Sequence, residues 1–196
     1  MYTFDYPLFL ALNFDGGPVM DSVMKTISGT AMWIPMYAAV LGWVWYSKGW
    51  KTMLAFLVCA AIAIGCADMF CGIFKHSGLL KHLWESFPPR LRPAHTPELQ
   101  GLIHIVYRPR GLYGTVSAHA ATVAAFALFA SMEIRRTWFS LAMTAVTLLI
   151  CYSRIYLACH FPVDIALGLA AGAIAGGGMR YWYEILVAKI EKYGRK

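Results

Sequence analysis

The chain has 196 residues, of which 59% are hydrophobic and only 14% are charged, and its formal net charge is +7. Soluble domains carry about 25% charged residues, so this composition excludes an ordinary soluble domain and indicates an integral membrane protein. The five cysteines lack the spacing of a metal site, and their odd number does not suit a disulfide framework. We expect them to be small buried residues.

Long segments that are nearly free of charged residues predict the membrane-spanning helices. A helix needs about 20 apolar residues to cross the hydrocarbon core. The predicted spans cover roughly residues 28–47, 52–75, 116–133, 137–157 and 161–182. Residues 2–12 are too few to cross and predict a helix lying at the membrane interface. We therefore expect an all-α integral membrane bundle of about five to six transmembrane helices, forming one domain over residues 1–196.

Basic residues sort the connections between these spans onto two sides of the membrane. Lys48 and Lys51 follow the first span, Arg135 and Arg136 follow the third, and further Lys and Arg residues follow the fifth. The positive-inside rule places these connections in the cytoplasm. Residues 76–115 then form a long outer-face loop, which is broken by prolines and glycines and is itself basic. Positive charge on the outer face favours an anionic ligand there.

Two groups of polar residues fall at the predicted outer ends of the spans. Ser117 and His119 open the third span, and the stretch "SRIYLACHFPVD" joins the fourth and fifth. That stretch contains Ser153, Arg154, His160 and Asp164. Ionisable residues at membrane depth are costly, so their presence predicts a functional site.

The residue types and their spacing indicate phosphoryl transfer. Asp164 follows His160 by one helical turn, so a carboxylate–imidazole hydrogen bond is sterically easy. Such a bond fixes the tautomer and makes the other ring nitrogen a better nucleophile. The planar guanidinium of Arg154 suits a phosphate, and Ser117 at a helix start can offer its hydroxyl and nearby backbone N–H groups to an anion.

These residues resemble the motifs of the type 2 phosphatidic acid phosphatase family, whose fold is shared with vanadium haloperoxidases. The third motif, S-R-x5-H-x3-D, is complete in "SRIYLACHFPVD". The second, usually P-S-G-H, is "VSAH" here, and the Ala in place of Gly narrows the expected anion pocket. The resemblance covers about residues 68–176.

The first motif of the family, K-x6-R-P, is only partly matched. Arg92 and Pro93 fit its end, but Glu85 stands where the Lys is expected. Lys75 and Lys81 are the two candidates, and each requires an insertion before Arg92. We favour Lys75, because an insertion is easiest just beyond the end of a helix.

The resemblance implies a role for each matched residue. His160 would be the nucleophile that forms a phosphohistidine, Asp164 would orient it, and His119 would protonate the leaving oxygen. The phosphate would be bound by Lys75 or Lys81, Arg92, Ser117 and Arg154. Family members use no metal, and we expect no metal ion, no cofactor and no nucleic-acid partner.

By this resemblance, the chain looks like a small bacterial inner-membrane phosphatase, and we expect its site to face the periplasm or outside. The candidate substrates are undecaprenyl pyrophosphate, lipid A phosphates and phosphatidylglycerol phosphate. Two alternatives stay open at this point: a non-catalytic lipid-binding member of the fold, and a haem-binding electron carrier with His119 and His160 as axial ligands.

Overall fold

A computed structural model describes the backbone of residues 3–75 and 89–194 and, except for residues 75, 193 and 194, their side chains. The described part of the chain is helical. Its α-helices are α1 (Tyr6–Leu12), α2 (Gly17–Ser28), α3 (Ile34–Lys48), α4 (Trp50–Lys75), α5 (Ala118–Ile134), α6 (Thr137–Tyr156) and α7 (Pro162–Gly194). Within the described ranges, β structure is limited to one isolated bridge between Leu91 and Tyr113. The predicted all-α fold is confirmed.

The first predicted span differs from the observed structure. Helices α2 and α3 are joined by Gly29 and a short 3₁₀ segment, and the two halves are bent by 65°. The proline at position 35 stands in the first turn of α3. Proline is tolerated there but not inside a helix, because it has no N–H and clashes with the preceding turn. The apolar stretch at 28–47 is therefore the second half of a bent pair.

The second, third and fourth spans agree closely with their predicted bounds. In the described residues, three helices are long and apolar enough to cross a membrane, namely α4, α6 and α7, and the bent pair would make a fourth. Helix α5 has 17 residues and is shorter but apolar. Helix α7 continues well beyond the predicted end at residue 182. Helix α1 is confirmed as a short helix within residues 2–12.

Helix α5 lies at the centre of the bundle, in contact with α4, α6 and α7. A stripe of glycines on α7 faces it. A Cβ atom added at Gly168, Gly172 or Gly176 would lie 2.4, 2.1 or 2.4 Å from a backbone oxygen of α5 or of its N-cap. The two helices therefore pack closely at these three positions, because only glycine lets the two backbones approach this far.

The end of α5 away from its N-cap is fixed by a buried acidic side chain. Glu133 accepts hydrogen bonds from Arg180 and from the hydroxyl of Tyr183, each at 2.7 Å, and Lys48 lies 2.8 Å away. These contacts tie α3, α5 and α7 together at one end of the bundle. The polar groups singled out in the sequence lie at the opposite end of α5.

Candidate active site

The turn between α6 and α7 presents His160. Ala158 has a φ of 51°, in the left-handed region, and the backbone N–H groups of Cys159 and His160 both donate to the carbonyl of Arg154. This geometry ends α6 and brings the chain back at once into α7. The carboxylate of Asp164 in the first turn of α7 accepts from the backbone N–H of Phe161 at 2.9 Å. His160 is consequently held inside the protein, with only 1% of its surface exposed.

Two acceptors face one nitrogen of the His160 ring. Its Nδ1 lies 3.0 Å from the carbonyl oxygen of Gly114 and 3.6 Å from Oδ2 of Asp164. A carbonyl can only accept, so Nδ1 carries the proton and Nε2 of the neutral ring keeps its lone pair. The sequence predicted Asp164 as the partner of this ring. In the structure, Gly114 is the nearer acceptor, and Asp164 is the second group on the same side.

The second motif meets the third through a backbone hydrogen bond. The N–H of Ser117 donates to the carbonyl of Asp164 at 3.0 Å. Ser117 is the N-cap of α5, and its hydroxyl oxygen accepts from the N–H of Ala120. His119 lies in the first turn of the same helix and is half-buried. The start of α5, with its positive dipole end, therefore lies beside the His160 turn.

Two guanidinium groups approach the same region. Arg92 donates through Nε to the carbonyl of Tyr113 at 3.1 Å. Arg154 donates through Nη1 to the hydroxyl of Ser28, and its buried Nε has no hydrogen-bond partner among the described residues. Burial lowers the pKa of Arg92, and the nearby charge of Arg154 lowers the same pKa further. Both groups remain cations, since arginine does not lose its proton in proteins.

Gly114 lies between Arg92 and His160. A Cβ at this position would lie 2.9 Å from Cγ of Arg92 and 3.3 Å from Nδ1 of His160. The absence of a side chain at residue 114 therefore lets the Arg92 side chain and the His160 ring approach each other. A buried imidazole that carries its proton on Nδ1, two arginines and a helix start form a site suited to a phosphate group.

The structure adds residues that the sequence did not single out. The hydroxyl of Tyr107 lies 3.5 Å from the sulfur of Cys159, and burial raises the pKa of Tyr107. Asn13 donates to the carbonyl groups of His104 and Tyr156 and so fastens the end of α6. In the sequence, Tyr107 and Asn13 look like the other aromatic and polar residues of the chain. Their hydrogen-bond partners are distant in sequence, so no local pattern could have identified them.

Lys75 and Lys81 both remain candidates for the first-motif lysine. Helix α4 ends at Lys75, as the preferred assignment requires, but the side chain of Lys75 and the whole of Lys81 lie outside the described residues. Across residues 3–75 and 89–194, no three His, Cys, Asp or Glu side chains gather into a group that could hold a metal ion.

Comparison with protein families and curated proteins gives consistent matches. Residues 72–187 match the family model of the PAP2 superfamily. The chain is 35% identical over 176 residues to a lipid A 4'-phosphatase of Bacteroides thetaiotaomicron, which covers 88% of this chain and 72% of that protein. It is 32% identical over 170 residues to a lipid A 4'-phosphatase of Porphyromonas gingivalis, covering 86% of this chain and 68% of that protein.

Two crystal structures share the fold at 17% sequence identity. Aquifex aeolicus LpxE covers 91% of this chain and 95% of its own, with a TM-score of 0.57. The first transmembrane PAP2 type phosphatidylglycerolphosphate phosphatase from Bacillus subtilis covers 93% of this chain and 85% of its own, with a TM-score of 0.63. The helical arrangement described above is therefore a fold that these two proteins share.

Proposed function

The chain belongs to the PAP2 superfamily, and on this premise we propose that it is a lipid phosphatase that removes the 4'-phosphate of lipid A through a phosphohistidine on His160. The two curated relatives are both lipid A 4'-phosphatases, which supports this substrate over undecaprenyl pyrophosphate and phosphatidylglycerol phosphate. The same relatives favour an enzyme over a lipid-binding scaffold or a haem carrier. The observation that carries the mechanism is the position of the His160 ring, whose Nδ1–H donates to the carbonyl of Gly114.

In the first step, Nε2 of His160 attacks phosphorus. A bond forms between Nε2 and phosphorus, the bond from phosphorus to the lipid oxygen breaks, and His119 gives its proton to that oxygen. The products are a dephosphorylated lipid alcohol and a phosphohistidine. Arg92 and Arg154 bind the equatorial phosphate oxygens, together with N–H groups near Ser117 and the first-motif lysine, so developing charge is stabilised without reorganisation.

In the second step, water attacks the phosphohistidine. His119, now neutral, takes a proton from the water as the oxygen bonds to phosphorus, and the bond between phosphorus and Nε2 breaks. Inorganic phosphate leaves, and His160 and His119 return to their starting states. Lipid phosphate and water are consumed, and lipid alcohol and phosphate are formed.

We place this site at the outer face of the inner membrane. Lys48, Arg135 and Arg136 lie at the other end of the bundle, beside Glu133 rather than beside His160. Positive-inside sorting supports a cytoplasmic location for that end. A phosphate at headgroup level would then enter from the outer leaflet, with the acyl chains remaining in the bilayer.

The test is phosphate release by purified protein in mixed micelles. Lipid A carrying both phosphates, undecaprenyl pyrophosphate and phosphatidylglycerol phosphate are offered in parallel, and mass spectrometry identifies which phosphate lipid A has lost. We expect loss of the 4'-phosphate by the wild type and a rate lower by several orders of magnitude for His160→Ala. His95→Ala serves as the matched control, because this loop histidine contacts the carbonyl of Pro109.

Preferential release from another of the three lipids would contradict the substrate assignment. Near-normal turnover by a folded His160→Ala protein would contradict the mechanism.

A further inference from the structure

A buried ion pair outside the recognised motifs lies directly behind the candidate nucleophile. Nη1 and Nη2 of Arg90 donate to the two carboxylate oxygens of Asp5 at 2.9 and 2.5 Å. The two side chains are 4% and 3% exposed. The guanidinium also lies over the ring of Phe161, 3.7 Å from its centroid. Arg90 is therefore fixed on one edge by a carboxylate and on one face by an aromatic ring.

The side chain of Arg90 reaches one of the two groups that face His160. Its Nη1 lies 3.6 Å from Oδ1 of Asp164, whose other oxygen faces Nδ1 of His160 at the same distance. Asp5 itself accepts from the backbone N–H of Val163, one residue before Asp164. The pair thus contacts both the carboxylate of Asp164 and the helix start that carries it.

The backbone of Arg90 holds the other group that faces His160. Its N–H donates to the hydroxyl of Thr115 at 2.9 Å, and its carbonyl accepts from the N–H of Gly114 at 2.8 Å. Gly114 supplies the carbonyl that accepts from Nδ1 of His160. Arg90 is therefore connected through single contacts to both acceptors of the imidazole.

Stability alone is a weak explanation for such a pair. Removing two charges from water is costly, and a buried ion pair can often be replaced by apolar residues with no loss of stability. In some proteins, buried polar or ionic groups are retained because they fix one local arrangement. Here the neighbour is Asp164, which is 1% exposed and close to a second buried carboxylate, Asp5.

The two partners have opposite effects on Asp164. Arg90 offsets the charge that Asp5 and Asp164 would otherwise place side by side. Asp5, in turn, occupies the donor edge of Arg90 and keeps the guanidinium from pairing closely with Asp164. Without Asp5, Arg90 would draw the carboxylate of Asp164 away from His160.

We propose that Asp5 and Arg90 are positioning residues, which hold Asp164 and the Gly114 carbonyl at the distances that orient His160 for attack. This inference rests on the proposed role of His160 as nucleophile. The proposal makes the residue before α1, Asp5, part of the active-site structure, although Asp5 lies 155 positions before His160 in the sequence.

The test compares kcat, KM and the rate of phosphohistidine formation in full-length protein. The variants are Asp5→Asn and Arg90→Gln, which break the pair, and Asp5→Glu and Arg90→Lys, which keep both charges but change the geometry. Arg108→Gln is the matched control, because this exposed arginine of the same loop donates to the side chain of Gln100. His160→Ala is assayed beside them.

We expect kcat and the rate of phosphohistidine formation to fall about 10- to 100-fold in the pair-breaking variants. Metal-binding histidines lose activity by a similar factor when the residue that orients them is removed. KM should stay within about threefold, because neither residue touches the substrate, and Asp5→Glu and Arg90→Lys should recover part of kcat. Arg108→Gln should match the wild type.

Activity is expressed per folded molecule, measured by size-exclusion chromatography. Unchanged kcat in folded Asp5→Asn and Arg90→Gln would overturn the positioning role. If either fails to fold, Asp5→Glu and Arg90→Lys decide, and wild-type kcat in both would overturn it. An inactive wild type, or an active His160→Ala, would instead overturn the proposed function. These results differ from those that overturn only the positioning role, in which the wild type is active and His160→Ala is inactive.

Discussion

The carbonyl oxygen of Gly114 lies closer to Nδ1 of His160 than the carboxylate of Asp164 does, at 3.0 Å against 3.6 Å. A backbone carbonyl cannot be protonated or rotated away as a side chain can. It therefore fixes the tautomer of His160 more firmly, while Asp164 supplies the negative charge that stabilises a cationic ring. The two groups divide a task that the sequence assigned to Asp164 alone.

Gly114→Ala should impair turnover while leaving the bundle folded. The added methyl group would meet Cγ of Arg92 at 2.9 Å and Nδ1 of His160 at 3.3 Å, so both must shift. We expect kcat to fall about 10- to 100-fold, since a misplacement of about 1 Å can cost about 100-fold. Gly65→Ala on α4 is the control, because its methyl group would meet no other atom within 4 Å. Wild-type kcat in Gly114→Ala would show that this contact has no catalytic importance.

Activity should persist in EDTA and be inhibited by vanadate. In the proposed mechanism Arg92, Arg154 and the first-motif lysine stabilise the charge that a divalent ion stabilises in other phosphatases. Vanadate can take a five-coordinate shape bonded to Nε2 of His160. The measurement is the phosphate-release rate after dialysis against chelator and in a vanadate titration. Complete loss in EDTA that a divalent metal restores would refute metal-independent catalysis.

Lys75→Ala should be the severe variant of the two candidate lysines. Loss of one transition-state donor costs roughly 3 kcal/mol, or about 100-fold in rate. A lysine whose charge stays away from the phosphate should matter far less, because solvent and salt screen a distant charge. The two variants are to be assayed side by side on one lipid phosphate. A severe loss in Lys81→Ala beside nearly normal turnover in Lys75→Ala would contradict this choice and make Lys81 the first-motif lysine.

Gly172→Ala should destabilise the bundle. Its methyl group would lie 2.1 Å from the carbonyl oxygen of Ala121, which is backbone and cannot move without shifting α5. Overpacking of this kind costs about 1–3 kcal/mol. The temperature at which half of the protein remains monodisperse in detergent should fall. Gly178→Ala on the same helix meets nothing within 4 Å and should leave that temperature unchanged.

Thiol labelling should distinguish the two faces of the membrane. Glu98 and Arg136 are both exposed, the first in the loop near the site and the second between α5 and α6. In a Cys66→Ser background, which removes the exposed native cysteine, Glu98→Cys should react with an impermeant reagent added from outside the inner membrane. Arg136→Cys should react only after the membrane is permeabilised. The reverse pattern would place the site in the cytoplasm.

The residues that could be predicted from sequence are those close to one another along the chain. Ser117 and His119 share a helix start, and Arg154, His160 and Asp164 share one tight turn, so local spacing was enough to group them. The glycines of α7 that face α5 also recur every four residues along the sequence.

The supporting contacts could not be predicted in this way. Asp5 and Arg90 are 85 positions apart, and Ser28 and Arg154 are 126 apart, so no local pattern connects them. The contact made by the carbonyl of Gly114 could not be predicted, because every residue has a backbone carbonyl. The bend between α2 and α3 was missed because α2 itself was not predicted, since Asp21 and Lys25 interrupt its apolar residues.

The contact between Asp5 and Val163 joins positions 158 residues apart, and it has a consequence for biogenesis. Asp5 emerges from the ribosome long before Arg90, and the turn that holds His160 is among the last parts to be made. During insertion, each early buried charge must therefore wait in water or at the lipid headgroups for a partner not yet synthesised. The proposed site is complete only after α7 has been made, so we expect a nascent chain that stalls before α7 to lack phosphatase activity.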